Sequence, residues 1–152
     1  SSGTVLQVVN YQTGAVATGT TTMPLDDTIP QNTEGNEYMS LAITPKSALS
    51  TLIIDVVCNL SNSTAATNLI TALFQDATAN ALASNYITTQ SATAGDMAVL
   101  RYTMTSGTTS ATTFKVRAGS SGGGTTTFNG NSGARIFGGV MNSSITITEI
   151  VP

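Results

Sequence analysis

The sequence predicts an all-β chain, a sandwich or barrel of short antiparallel strands, and three observations predict it. The 152 residues hold 28 Thr and 16 Ser against 13 charged side chains, an alphabet suited to pleated, half-buried strands and the tight turns between them. Short apolar or alternating runs recur between clusters of Gly, Pro, Asn, Asp and Ser, the spacing expected of many strands joined by turns. Period two is clearest mid-chain, where Leu52, Ile54, Val56 and Cys58 fall on one face.

Taken in order, residues 4–10 and 17–23 read as the first two strands, and Pro24, Asp26, Asp27 and Pro30 through Gly35 then open a long loop. Residues 38–44 resume a strand that Pro45 ends. In the run 51–58 the face opposite the core carries Ile53, Asp55 and Val57, before Ser61-Asn62-Ser63 turns the chain. Residues 70–75 are expected as a strand, although Leu69, Ile70, Leu73 and Phe74 also match a helical spacing. The strand 98–105 puts Leu100, Tyr102 and Met104 inward and Arg101 outward, and 112–118 puts Phe114 and Val116 inward and Lys115 and Arg117 outward. Gly119 through Gly124 starts a second long loop that reaches Ser132, and residues 135–141 and 144–151 complete the set. No repeat and no second composition regime appears, so one domain is expected over 4–152, with Ser1-Ser2-Gly3 a linker or the end of an upstream segment.

Composition narrows the function classes. A net charge of −3 with five Lys and Arg leaves no basic patch for phosphate, so no nucleic-acid partner is expected. No run approaches the roughly 18 apolar residues of a spanning helix, and no membrane insertion is expected. The single Cys58 reads as a small buried hydrophobe. With no His in the chain, the usual Ser-His-Asp and Cys-His arrangements are closed. A carboxylate pair for glycoside hydrolysis would need two acids about 5–9.5 Å apart, and most candidates sit in turns. The expectation is a non-enzymatic module without catalytic residues or cofactor.

Three groups remain as candidate sites. Thr125, Thr126, Thr127 and Asn129, if they lie on a distal loop tip, would present hydroxyl and amide groups to a sugar. Asp26, Asp27, Glu34 and Glu37 collect oxygen ligands of the kind Ca²⁺ prefers, without EF-hand spacing. Ile53, Asp55, Val57 and Arg101, with Val99 near them, are expected at a subunit interface because two apolar residues flank a charge on the outward face. A sugar site would also need an aromatic platform, for which Tyr11, Tyr38 or Tyr86 would serve.

Several strings resemble a module common in bacteriophage tail-fibre and other virion proteins. They are Gly3-Thr4-Val5-Leu6-Gln7-Val8-Val9, Asp26-Asp27-Thr28-Ile29-Pro30-Gln31-Asn32-Thr33-Glu34-Gly35, Ile43-Thr44-Pro45-Lys46-Ser47, Thr108 through Arg117, and Ser143-Ser144-Ile145-Thr146-Ile147-Thr148-Glu149-Ile150. The resemblance spans nearly the whole chain and is weakest over 59–96. It implies a jelly-roll-like antiparallel β-sandwich of about nine or ten strands. It also implies a homotrimer in a virion, in contact with other virion proteins and often with a host-surface glycan or protein. A capsid decoration protein with no host ligand is the alternative, and an accessory domain of a carbohydrate-active enzyme a more distant one.

Overall fold

The computed structural model describes residues 3–152; Ser1 and Ser2 of the expected linker lie outside the described residues. Twelve strand segments follow one another: β1 (Val5–Thr13), β2 (Ala17–Gly19), β3 (Asn36–Ile43), β4 (Thr51–Asn62), β5 (Asn68–Gln75), β6 (Ala83–Thr88), β7 (Gly95–Thr105), β8 (Thr112–Ser120), β9 (Thr126–Phe128), β10 (Gly130–Asn131), β11 (Ala134–Arg135) and β12 (Ser143–Ile150). Every pairing among them is antiparallel.

Two sheets make the sandwich. In the first, β12 lies between β1 and β4, and β7 pairs with the other edge of β4. The short β9 continues the line of β12 along the far end of β4, and β2 continues β1 beside β9. The sheet is therefore four strands wide, in the order β1–β12–β4–β7. The second sheet runs β3–β8–β5–β6. The main connections cross between the sheets, which is the double Greek key of a jelly roll, and the expected antiparallel sandwich is the observed one.

Between the sheets lies one apolar core. Leu52, Ile54, Val56, Cys58 and Leu60 of β4 meet Ile145 and Ile147 of β12 on one side and Leu69, Leu73, Phe114 and Val116 on the other. Period two in these strands is the direct cause, because alternate side chains leave a pleated strand on opposite faces. A second cluster forms on the outside of the β3–β8–β5–β6 sheet, where Met23 is buried against Ile70, Ala72 and Phe74. Both faces of β5 are thus covered, and its apolar run has no alternation to read.

Three sequence expectations are corrected here. Residues 17–23 form strand only over Ala17–Gly19, because the chain then leaves the sheet so that Met23 can cap the second cluster. Of residues 135–141 only Arg135 is strand, as the end of β11: a 3-10 turn occupies Phe137–Gly139, and Phe137, Gly138 and Gly139 all have positive φ, a conformation no strand contains. The glycine-rich segment to Ser132 is not one loop, since it contains β9 and half of the β10–β11 hairpin, whose Ser132-Gly133 turn has φ of 51° and 77°, the signature of a type I′ turn.

Candidate functional site

The expected hydroxyl-bearing tip is interior structure. Thr126, Thr127 and Asn129 are 2%, 2% and 1% exposed, and only Thr125 is half-exposed. Asn62 Nδ2 donates to Thr126 Oγ1 at 3.0 Å and the Gly133 amide donates to Thr127 Oγ1 at 3.0 Å. Asn129 Nδ2 donates to the Thr13 carbonyl at 2.7 Å, and Ser143 Oγ donates to Asn129 Oδ1 at 2.6 Å. Asn129 also has φ of 56°, which Asn tolerates better than most residues. These side chains bond backbone groups and neighbouring side chains where β9 and β12 meet end to end beside β4, and three of the four are buried out of a sugar's reach.

The acidic loop does not converge on a cation. Asp26 Oδ1 accepts from the Thr28 hydroxyl and, in an Asx turn, from the Thr28 amide at 2.9 Å, and these hydrogen bonds, the hydroxyl's first, hold the Asp26 carboxyl below its ordinary value. Glu34 Oε1 accepts from the Gln31 amide at 2.7 Å. Glu37 stands on β3 in register with Arg117. Among the described residues no three acidic, His or Cys side chains are grouped as metal ligands.

Ile53, Asp55, Val57, Arg101 and Val99, by contrast, do share one surface. Rows of paired residues cross the outward face of the first sheet: Val8, Thr148, Ile53 and Thr103; then Asn10, Thr146, Asp55 and Arg101; then Gln12, Ser144, Val57 and Val99. Arg101 Nε and Asp55 Oδ1 are 3.3 Å apart, and they are the only charges on these rows. Val8 and Val99 are 56% and 55% exposed. Met97, next outward on β7, joins Phe137 in lining a 310 Å³ hollow at the end of this sheet. Phe137 is 70% exposed and keeps a strained positive φ of 54°. Sequence reasoning missed it by placing it in a strand; the Gly138-Gly139 pair beside it was the available signal.

A groove lies on the opposite face of the sandwich. Its walls are the 24–30 loop and β6 with the residues just before it, and its two adjoining parts measure about 370 Å³ and 290 Å³. The loop is held at several points. Met23 N donates to the Ser120 carbonyl at 3.2 Å and Gly35 N to the Thr22 carbonyl at 3.0 Å. Arg117 Nε and Nη2 donate to the Glu34 and Gly35 carbonyls at 2.8 and 2.9 Å. Gln31 Nε2 reaches Asn80 Oδ1 at 2.9 Å, and Ala81 N the Pro30 carbonyl at 3.0 Å. Pairing of Ile70 with Tyr86 and of Ala72 with Ser84 sets Tyr86 and Ser84 on the groove side of β6. Sequence reasoning missed β6 itself, whose Ala-Ser-Asn-Tyr-Ile-Thr lacks a run of apolar residues.

Of the three tyrosines considered as platforms, Tyr86 is 57% exposed at this groove and Tyr11 is 41% exposed on β1. Tyr38 is unsuited: its ring stacks on Phe128 with centroids 5.1 Å apart, and burial, with Cys58 nearby, pushes its hydroxyl up to about 12.

One buried ion serves the fold. Glu149 has no exposed surface, yet its carboxylate accepts from Gln7 Nε2 at 2.7 Å, Lys46 N at 2.9 Å, Ser47 N at 3.3 Å and Ser50 Oγ at 2.5 Å. Burial alone would raise its pKa, but these donors outweigh burial and hold it below the ordinary value. It ties β1 and β12 to the 44–50 connection and, through Ser50 and Ser106, to the end of β7.

No protein-family model matches the chain, and no curated protein matches it. Among solved structures, it is similar to infectious bursal disease virus Gx strain, with a TM-score of 0.42 and 9% identity over 95% of this chain and 36% of that one. It is similar also to the infectious bursal disease virus VP2 subviral particle, at a TM-score of 0.36 and 11% identity over 97% and 38%. Dimeric latent PorU from Porphyromonas gingivalis scores 0.45 at 9% identity, over 99% of this chain and 14% of that one. The chain therefore spans well under half the length of these proteins, and likeness at this level assigns no function.

Proposed function

We propose that this chain is a non-enzymatic structural module of a virion, a trimeric jelly-roll unit at the tip of a tail fibre or head fibre that meets a host-surface glycan or protein. The observation that carries the reading is the outward face of the β1–β12–β4–β7 sheet. It is broad, built of Val, Ile, Thr, Asn and Gln, and its one charge pair neutralises itself. A surface of that kind has a single ion pair to desolvate when it packs against copies of itself, and its remaining rows are neutral, which favours closed symmetric assembly. Trimerisation would multiply weak host contacts through avidity. The sequence strings that resemble phage fibre modules point the same way, and a jelly roll is a fold shared by viral capsid and lectin domains.

Light scattering coupled to size exclusion tests the assembly. The wild-type chain should run as a trimer, and Ile53→Glu, which sets a carboxylate beside Asp55, should run as a monomer with unchanged circular dichroism. A monomeric wild type, or trimers unaffected by the substitution, would count against this interface. Passing the same protein over host cells and over purified capsids separates a fibre tip from a capsid decoration protein, which would bind capsids and ignore cells.

A further inference from the structure

The groove beside β6 combines features that the assembly face lacks. An exposed tyrosine ring stands at its rim, aliphatic surface from Leu25, Ile29 and Ile70 lines its sides, and Asp26, Thr28 and Ser84 bring hydrogen-bonding groups into the same space. Thr28 engages Oδ1 of Asp26, and among the described residues nothing engages Oδ2. No Lys or Arg lines either part of the groove. Two prolines and the anchored ends of the 24–30 loop keep the walls in place, so little ordering cost would attend occupation.

We propose that this groove is a glycan-binding subsite that takes a neutral pyranose. The choice of ligand follows from the lining. A pyranose has an apolar C–H face, which packs on an aromatic ring, and an equatorial rim of hydroxyls, which donate to a carboxylate and exchange hydrogen bonds with Ser and Thr. Asp26 and Asp27, with no Lys or Arg in the groove lining, repel sialic and uronic acids, so acidic sugars are excluded. Tyr86 is the platform, Asp26 Oδ2 the acceptor, and Ser84 and Thr28 supply the remaining polar edge. The site rests on the host-glycan part of the function proposed above and gives it a location.

The test is a titration of the isotope-labelled full chain with methyl glycosides of glucose, galactose, mannose and N-acetylglucosamine, followed by amide chemical shifts. At least one should shift signals from 24–30 and 82–86 while leaving β4 and β12 unmoved. Tyr86→Ala should weaken that binding roughly tenfold, with Tyr86→Phe close to wild type, since the ring is kept. N-acetylneuraminic acid should leave the signals unchanged. No shift with any neutral sugar, shifts confined to another surface, or equal binding by Tyr86→Ala would overturn the subsite. Adsorption to host cells separates the two proposals. If wild type adsorbs and Tyr86→Ala adsorbs equally, or adsorption survives periodate oxidation of the cell-surface sugars, the subsite falls and host recognition stands. If the groove signals shift and cells are ignored, the subsite stands and host recognition falls.

Discussion

Replacing Glu149 by Gln removes one charge and almost no volume, so its effect isolates the buried carboxylate. In the native chain Oε2 accepts from Lys46 N, Ser47 N and Ser50 Oγ, while Oε1 faces Gln7 Nε2. The introduced amide can keep its oxygen toward the first three donors only by turning its NH₂ toward Gln7, another donor. Gln7 can rotate to present its own oxygen, but then loses its 2.8 Å bond to the Thr44 carbonyl. Hydrogen bonds to a charged acceptor contribute about 1.5–3 kcal/mol, against about 1 for neutral ones. With four donors weakened and non-additive, the expected loss is about 2–4 kcal/mol. For a chain of this size that lowers the melting temperature by about 4–16 °C.

The pH dependence gives a second readout. The folded pKa of Glu149 lies below its unfolded value of 4.5, so its contribution is complete above pH 4.5 and is lost as pH falls through the folded value. Asp76 adds to the same acid loss, because hydrogen bonds from Thr113 and Thr112 lower its pKa too. Thermal melts at fixed protein concentration from neutral pH to pH 3 should show wild type losing its advantage over Glu149→Gln on acidification. A variant as stable as wild type at neutral pH, or a gap that persists unchanged at pH 3, would refute the reasoning.

Asn129→Ala should cost about 2–4 kcal/mol in urea unfolding, because it strands the Thr13 carbonyl and the Ser143 hydroxyl and places Ala at a φ of 56°. Gly35→Ala should cost about 2 kcal/mol or more: its φ is +61°, and a Cβ there would lie 2.6 Å from the Ala118 carbonyl oxygen. Because Gly35 ends the loop that walls the groove, the same variant should disturb amide shifts over 24–30. Cys58 is fully buried, and burial pushes its thiol up to about 12; the native chain should resist iodoacetamide at neutral pH and be alkylated once unfolded, as mass spectrometry would show.

Alternation made the first sheet readable. Leu52, Ile54, Val56 and Cys58 of β4 and Leu100 of β7 went to the core as their period dictated, as did Phe114 and Val116 in the second sheet, and Asp55 and Arg101 came out on one face because both strands alternate in the same sense. The site residues were less legible. Thr126, Thr127 and Asn129 look like any polar turn in sequence, and only the end-to-end meeting of β9 with β12 turns them into internal hydrogen-bond partners. Phe137 and β6 were missed for related reasons: one owes its exposure to positive φ in the turn around it, the other owes its strand to pairing with β5 rather than to an apolar period.

The sequence by itself determined that the chain is β throughout, which side of each central strand is buried, and that Cys58 lies inside, since these follow from local alternation and side-chain polarity. Tertiary structure alone decided which strands neighbour one another, that β5 is covered on both faces, and that Tyr86 stands across a groove from Asp26. Those facts depend on contacts between residues distant in the chain, such as Met23 with Phe74. No local period records them, because the favourable free energy of burying such a pair exists only once the loop between them has closed.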